Sequence, residues 1–287
     1  MAHTLNIRGT LLSLEKPCVM GILNLTPDSF YAQSRTADTG AALRKVERML
    51  EEGMDMLDMG AVSSRPGAEL PDEEEERRRL QGTLQAVTAR FPDLIVSIDT
   101  FRSSIARMSA DYGAHIINDI SGGAYDADMF STVGRLQLPY VLMHIRKKPV
   151  DMQDDPRYDD VVTDLLSYFS QKMAQARMAG IHDLILDPGF GFAKTMAHNY
   201  RLLARLHDFA MLGAPVLAGM SRKSMFCKLL GCTPQEALNA TTAAHMVALL
   251  NGASILRVHD VKEAVQCVKI FCQCRHDGAV NPDNNQI

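Results

Sequence analysis

Leu184-Ile-Leu-Asp187-Pro-Gly189-Phe190-Gly191-Phe192-Ala-Lys-Thr195 is the stretch whose reading decides the fold. The apolar run Leu184 to Leu186 predicts a strand buried on both faces. It ends on a carboxylate, Asp187. Pro188 has no N–H to donate and ends the ladder. Gly189 and Gly191 open backbone conformations closed to other residues, and Phe190 and Phe192 project from the turn they make. A strand that delivers one acid to its end and then turns through glycines and aromatics has the form of a pocket rim. A tight turn with a helix-capping Asp explains the same residues without a ligand. Recurrence of the design along the chain decides between the two.

It does recur. Apolar runs ending on polar residues stand at Pro17 to Asn24, Met56 to Gly60 with Asp58, and Leu94 to Thr100 with Asp99. Others are Ile116 to Gly123 with Asn118 and Asp119, Tyr140 to His144, Val216 to Gly219 before Ser221-Arg-Lys223-Ser224, and Ile255 to His259 with Arg257. Helical periodicity follows each of them, from about Thr39 to Glu52, Pro71 to Ala89, Arg102 to Tyr112, Asp126 to Arg135 and a long segment to Ala179. Further helices span Ala197 to Phe209 and a region to Asn251 broken at Gly231 to Pro234, and a last one opens at Asp260. Counting the opening stretch, that makes eight strand–helix units with no domain-sized linker. No Gly-x-Gly-x-x-Gly turn follows the first strand, so an α/β (β/α)8 TIM barrel is expected rather than an open doubly wound sheet. Thr4 to Leu14, loosely alternating around Gly9, is expected to form a short N-terminal hairpin that plugs one end. Residues 1–276 then form a single domain, and the polar tail 277–287 is expected to be disordered.

Composition narrows the function. The chain has 287 residues, 46% of them hydrophobic, and a net charge of −4. That balance gives no reason to expect nucleic acid or an anionic membrane as partner. No apolar run is long enough to span a bilayer, and the N-terminus lacks the apolar core of a signal peptide. The six cysteines follow neither zinc-finger spacing nor disulfide-scaffold density, so they are expected as reduced thiols in a cytoplasmic protein. Cys272, Cys274 and His276 could form a metal clip, but the end of a helix is the plainer reading. Glu73 to Glu76 followed by Arg77 to Arg79 reads as a solvated helix face with modest ion pairing, not a binding patch.

In such barrels the C-terminal strand ends build the active site. Polar groups crowded there are costly to desolvate unless they meet a ligand or one another. Asp99, Asn118, Asp187 and Lys223 offer acceptors and donors suited to a flat polar heterocycle. Asn24, Ser64, Arg65, Arg257 and His259 are mainly donors or potential cations, as an anion site wants, and the Gly67 loop could add backbone N–H groups. Read alone, these residues suggest an enzyme acting on a polar ring that carries a phosphate or pyrophosphate.

The chain also resembles a known family. The motifs are Met20-Gly-Ile-Leu-Asn24-Leu-Thr-Pro-Asp-Ser-Phe30, Ser64-Arg65-Pro66-Gly67, Ser97-Ile-Asp99-Thr100 and Asn118-Asp-Ile-Ser-Gly. Asp187-Pro-Gly-Phe-Gly-Phe, Ser221-Arg-Lys223-Ser224 and Arg257-Val-His259 complete the series. Their ordered succession from about Lys16 to Lys269 is similar to dihydropteroate synthase. The resemblance implies a transferase that joins 6-hydroxymethyl-7,8-dihydropterin pyrophosphate to 4-aminobenzoate in folate biosynthesis, with Mg²⁺ as cofactor and a homodimer as assembly. It implies catalytic roles for Asp99, Lys223 and Arg257, and a pterin pocket of Asp99, Asn118, Met143, Asp187, Lys223 and Arg257. Asn24, Arg65, Arg257 and His259 would hold pyrophosphate, with Asn24 also on the metal. Phe30, Ser64, Pro66, Phe190, Lys223 and Ser224 would shape the aminobenzoate pocket, where sulfonamides compete in this family. The implied mechanism is dissociative, with the Thr26–Asp38 and Ala61–Leu70 loops closing against water.

Some residues depart from the family pattern or carry a plainer reading. Tyr31 to Thr36 replaces a common Ser-Asp-Gly-Gly, Ser64 replaces a Thr, and Arg146-Lys147-Lys148 adds charge after His144. Asp58 could orient Arg65, cap a turn or touch ligand. Asp119 is read as a turn cap and His144 as a satisfied strand-end histidine. Phe190 is assigned to the pocket because a core aromatic has little reason to sit between two loop glycines. A pterin-binding methyltransferase-type barrel and a non-catalytic pterin-binding paralogue are the competing functions.

Overall fold

In the computed structural model, residues 3–25, 35–62, 71–145 and 157–276 are described. Eight parallel strands close a barrel. They are β3 (Cys18–Asn24), β4 (Met56–Gly60), β5 (Ile95–Asp99), β6 (Ile116–Asp119), β7 (Tyr140–Met143), β8 (Leu184–Asp187), β9 (Val216–Ala218) and β10 (Ala253–Val258). Each strand pairs with the next, and β10 closes on β3 through Ile255–Val258 against Cys18–Gly21. The connecting helices are α1 (Arg35–Glu51), α2 (Glu73–Arg90), α3 (Ser103–Asp111), α4 (Met129–Leu136), α5 (Val161–Met178), α6 (Met196–Ala204), α7 (Ser224–Leu230), α8 (Leu238–Leu250) and α9 (Val261–His276). The expected TIM barrel is the one observed.

Differences from the sequence reading lie at element ends. The first helix begins at Arg35, ahead of Thr39, and the fourth at Met129, after Asp126 and Asp128 have turned the chain. The sixth is shorter than expected: it stops at Ala204, and a 3₁₀ turn over Leu206–Leu212 carries the chain on. The break at Gly231 is a left-handed C-cap, with φ of 64°, between α7 and α8.

The N-terminal hairpin pairs β1 (Thr4–Ile7) with β2 (Thr10–Ser13) across the two-residue turn Arg8-Gly9. Both turn residues have positive φ, the geometry that matches strand twist in a tight hairpin. Leu5, Ile7 and Leu14 pack on the apolar layer inside the barrel, with Met20, Met56, Ile116 and Ile255. The Arg8 guanidinium donates to the carbonyls of Ala110 at 2.6 Å and Ala114 at 2.8 Å. The hairpin therefore covers the N-terminal mouth, as expected.

Side chains alternate along a strand, so the layer above this apolar floor is fixed by parity. Two residues beyond Met56 comes Asp58, beyond Ile116 Asn118, and beyond Val141 Met143. Beyond Ile185 comes Asp187, beyond Leu217 Gly219, and beyond Ile255 Arg257. The interior is apolar at one end and polar at the other. A separate apolar shell between strands and helices, including Phe169, Phe190 and Phe209, holds the two layers of the fold together.

Candidate active site

At the C-terminal mouth, Arg257 is the hub. Its Nε donates to Asp58 Oδ2 at 2.6 Å and its Nη2 to Asp99 Oδ2 at 2.8 Å. Asn118 Nδ2 donates to the same Asp58 oxygen at 3.1 Å. Three strands, β4, β5 and β6, and the closing strand β10 are thus tied through one guanidinium. Burial opposes the Arg257 charge, yet Asp58 and Asp99 outweigh it and keep the group a cation. Asp58 is fully buried, and its Oδ1 has no hydrogen-bond partner among the described residues. Its role is to hold Arg257 and Asn118. Among the described residues it caps no turn, and Arg65 lies outside them.

Asp187 and Lys223 face this hub. Burial raises the Asp187 pKa, while the Gly189 N–H at 2.8 Å and the charges of Lys223 and Arg257 oppose the rise. Burial draws Lys223 down to about 8, with Asp187 and Asp99 holding the proton on and Arg257 pushing it off. Burial pushes Asp99 up to about 7 against the pull of Arg257, with Asp58 adding to the rise. Acids and bases from β5, β8, β10 and the start of α7 therefore share one electrostatic environment at a single mouth.

Backbone shape builds the rest. Gly189 and Gly191 are left-handed, with φ of 69° and 79°. A Cβ at Gly191 would lie 2.8 Å from Lys223 Cδ, so the bare backbone is what lets the lysine pass. The Lys223 ammonium donates to the Phe190 carbonyl and lies 4.1 Å from the centre of the Phe192 ring, a cation–π contact. The assignment of Phe190 to the pocket is corrected here. Its ring is fully buried in the helix–strand core, because the left-handed residues on either side turn it inward. Phe192, whose ring is half-buried, projects beside Lys223 and packs with Met143, Ile120 and Phe101. The signal was the second glycine: one further left-handed step reverses the direction of the next side chain.

Lys194 and Asn199 brace this turn and were not anticipated. The buried Lys194 ammonium contacts the carbonyls of Gly189 at 3.1 Å and Phe192 at 3.0 Å, and His144 Nδ1 at 3.1 Å. Asn199 accepts from the Gly191 N–H at 2.7 Å. His144 is thus a satisfied strand-end histidine, as read from the sequence. Asp119 caps its turn as expected, accepting from the N–H groups of Ser121 and Gly123 and from the Tyr140 hydroxyl.

On the anion side, Asn24 ends β3 half-buried, and His259 follows β10. The sequence reading counted His259 as a potential cation. Withdrawal from water, then the charges of Arg257 and Lys45, depress its pKa, so near neutrality it is an uncharged imidazole. Lys45 of α1, which donates to the Ile22 carbonyl at 3.1 Å, is a further cation on this side. Nothing in the local pattern separates it from Arg44 and Arg48 on the same helix. Arg222, in a left-handed conformation, forks onto Asp260 with both contacts at 2.9 Å and ties the Lys223 segment to the His259 segment. Ser224 is the first residue of α7. Phe30, Ser64, Arg65 and Pro66, and most of the two loops expected to close, lie outside the described residues.

A barrel whose C-terminal mouth gathers acids, amides and bases from seven of its strand ends defines a small-molecule enzyme, and the family its motifs resemble is a pterin-binding one. Consistent with that class, residues 20–259 match the family model described as pterin binding enzyme. The chain is 42% identical to the dihydropteroate synthase of Escherichia coli over 269 residues, covering 92% of this chain and 93% of that one. Among solved structures, a Yersinia pestis dihydropteroate synthase with a sulfonamide drug complex superposes with a TM-score of 0.89 at 41% identity. That likeness covers 96% of this chain and 100% of the other. A Xanthomonas albilineans dihydropteroate synthase with 4-aminobenzoic acid gives a TM-score of 0.88 at 38% identity, over 98% and 100% of the two chains. The chain belongs to the dihydropteroate synthase family, transferases of folate biosynthesis.

Proposed function

We propose that this chain joins 6-hydroxymethyl-7,8-dihydropterin pyrophosphate to 4-aminobenzoate, giving 7,8-dihydropteroate, pyrophosphate and a proton. The observation that carries the residue assignments is the Arg257 hub, which gathers Asp58, Asp99 and Asn118 beside Asp187 and Lys223. Asp187 and Asn118 hold the polar edge of the pterin, Met143 packs against it, and Arg257 lies along its face. Lys223 reaches its oxo and N5 side. Asn24, Arg65, Arg257 and His259 take the pyrophosphate. Phe192, with Phe30, Ser64, Pro66, Lys223 and Ser224, forms the aminobenzoate site in which a sulfonamide would compete.

The reaction is dissociative in this reading. The bond from the exocyclic carbon to the pyrophosphate oxygen breaks, and its electron pair leaves with the anion among the bases on the β3 and β10 side. Positive charge spreads into the pterin, where Asp99 is correctly signed to stabilise it. The neutral amine of aminobenzoate then attacks the carbon and releases a proton, so no side-chain nucleophile is needed.

The donor set fits Mg²⁺. Among the described residues no three His, Cys, Asp or Glu side chains gather into a metal cage. The amide oxygen of Asn24 at an open strand end suits a hard cation that keeps waters and phosphate oxygens. When bound there, Mg²⁺ supplies neutralisation of the leaving anion.

We also place the enzyme in the cytoplasm, a reading supported by its six free thiols. No helix among the described residues is long and apolar enough to cross a membrane. A homodimer is supported by exposed apolar side chains on α7, α8 and α9: Leu229, Leu230, Val247, Leu250 and Ile270. The test of function is pyrophosphate release with the pterin pyrophosphate, Mg²⁺ and 4-aminobenzoate. Release that requires aminobenzoate, and is lost in Asp99→Asn and Lys223→Ala variants that fold, is expected. Pterin binding without turnover would instead support a non-catalytic paralogue.

A further inference from the structure

Cys227 and Cys232 are brought together by the way α7 ends. The helix stops at the left-handed Gly231, with φ of 64°, and the chain folds back so that the Cys232 N–H donates to the Cys227 carbonyl at 3.2 Å. A helix closed in this way sets the side chain of its last full turn against the side chain that follows the glycine. Here both are thiols, and they hydrogen-bond to one another. Each packs on the apolar shell between strands and helices and remains half-buried, within reach of a small reagent.

The surroundings hold the pair in register. The N–H and hydroxyl of Thr233 donate to Glu236 at 2.9 and 2.8 Å, which pins the chain just after Cys232. Arg222 donates to the carbonyls of Pro234 and Gln235 at 2.9 and 2.6 Å. On the other side, Cys227 Sγ lies 3.9 Å from the carbonyl of Lys223, one helical turn earlier. The dithiol therefore sits inside a segment anchored at both ends, and one of those ends carries Lys223. Burial, then the neighbouring Cys232 thiol, pushes the Cys227 thiol above its ordinary range, so near neutrality it keeps its proton and is suited to react second.

We propose that Cys227 and Cys232 are a redox-active dithiol that closes to an intrachain disulfide by exchange with a small disulfide such as oxidised glutathione, and that closure slows the synthase through Lys223. The Cys232 thiolate attacks one sulfur of the oxidant and releases the first glutathione thiolate. Cys227 then gives its proton to solvent and displaces the second, which breaks the mixed disulfide and forms the Cys227–Cys232 bond. The two cysteine sulfurs are oxidised, and one glutathione disulfide is reduced to two thiols. Bonded sulfurs stand about 2 Å apart, so the last turn of α7 must shift toward Cys232 and give up its contact with the Lys223 carbonyl. The effect on turnover rests on the proposed role of Lys223; the exchange itself does not.

The full chain, reduced and then treated with oxidised glutathione, is alkylated and digested with trypsin without reductant. Lys228 lies between the two thiols, so cleavage leaves Cys227 in peptide 224–228 and Cys232 in peptide 229–257, each with a single cysteine. The expected product is these two peptides joined, separated again by dithiothreitol. The kcat of the linked enzyme is expected to fall about fivefold and to recover on reduction. Cys227→Ser and Cys232→Ser are each expected to keep the reduced kcat and to lose the response, and Cys232→Val replaces either one that does not fold. Alkylated Cys227 and Cys232, or glutathione retained on either without the link, overturns the dithiol. Linked peptides with an unchanged kcat overturn the coupling to Lys223. A reduced enzyme that makes no dihydropteroate sinks the proposed function, and with it the coupling, while the peptide link still decides the dithiol.

Discussion

Phe190 and Phe192 separate core from site within three residues. Phe190 is fully buried against helices and strands, so Phe190→Ala is expected to cost about 3–5 kcal/mol of stability. Phe192→Ala is expected to leave the melting temperature nearly intact and raise the KM for aminobenzoate. Denaturant unfolding and steady-state kinetics on the two variants check both outcomes, and the reverse pattern would return Phe190 to the pocket. The titrations of Asp99 and Lys223 set a second expectation. In the proposed mechanism Asp99 acts as an anion, and burial pushes it up to about 7, so activity is expected to rise as pH climbs through that value. Lys223 acts there as a cation, and burial draws it down to about 8, so activity is expected to fall above that value. A bell-shaped kcat/KM with a narrow top is expected, and Lys223→Arg should remove the alkaline fall in whatever activity it keeps. A flat profile from about pH 6 to pH 9 would contradict both assignments.

At the level of elements, the turn after β8 is held by ammonium groups on its carbonyls and by glycines at the left-handed positions. Gly191→Ala meets both a strained φ of 79° and Lys223 Cδ at 2.8 Å. A loss of about 1–2 kcal/mol from the backbone is expected, together with a drop in kcat larger than that loss explains, because Lys223 must move. Arg222 joins two elements that carry site residues: its fork on Asp260 and its bonds to the carbonyls of Pro234 and Gln235 lock α7 to the chain after β10. Arg222→Ala is expected to lower the melting temperature and weaken pyrophosphate binding together, which thermal unfolding and pyrophosphate titration would read. Much of this level was legible in the sequence. Strand ends bearing Asp58, Asp99, Asn118 and Asp187 could be read from short apolar runs and their stops. Partnership was not legible. Nothing in the local pattern says that Asp58 holds Arg257, or that Glu76 leaves the solvated face of its own helix to meet Arg102, because those contacts join residues 199 and 26 positions apart.

For the whole molecule, the barrel explains why distant residues could be assigned to one place. Strand parity puts an apolar layer near the hairpin and, two residues further along, the layer that carries Asp58, Asn118, Asp187 and Arg257, so one mouth is sealed and the other polar. The Phe190 error is instructive at this scale, since parity ends where the strand ends and the turn beyond follows its own dihedrals. In the proposed homodimer, the exposed leucines on α7 and α8 would carry the contact, on the outside of the barrel. Leu230→Glu with Leu250→Glu is expected to give monomers by sedimentation while leaving the secondary structure intact. An unchanged assembly state would move the contact elsewhere. The most direct measurement is a crystal structure of the enzyme with 7,8-dihydropteroate, pyrophosphate and Mg²⁺. The expected density has the pterin against Asp187, Asn118 and Asp99, with pyrophosphate beside Arg257 and His259. Density for the pterin at the hairpin end near Arg8, or pyrophosphate away from Arg257, would contradict the convergence on which every assignment depends.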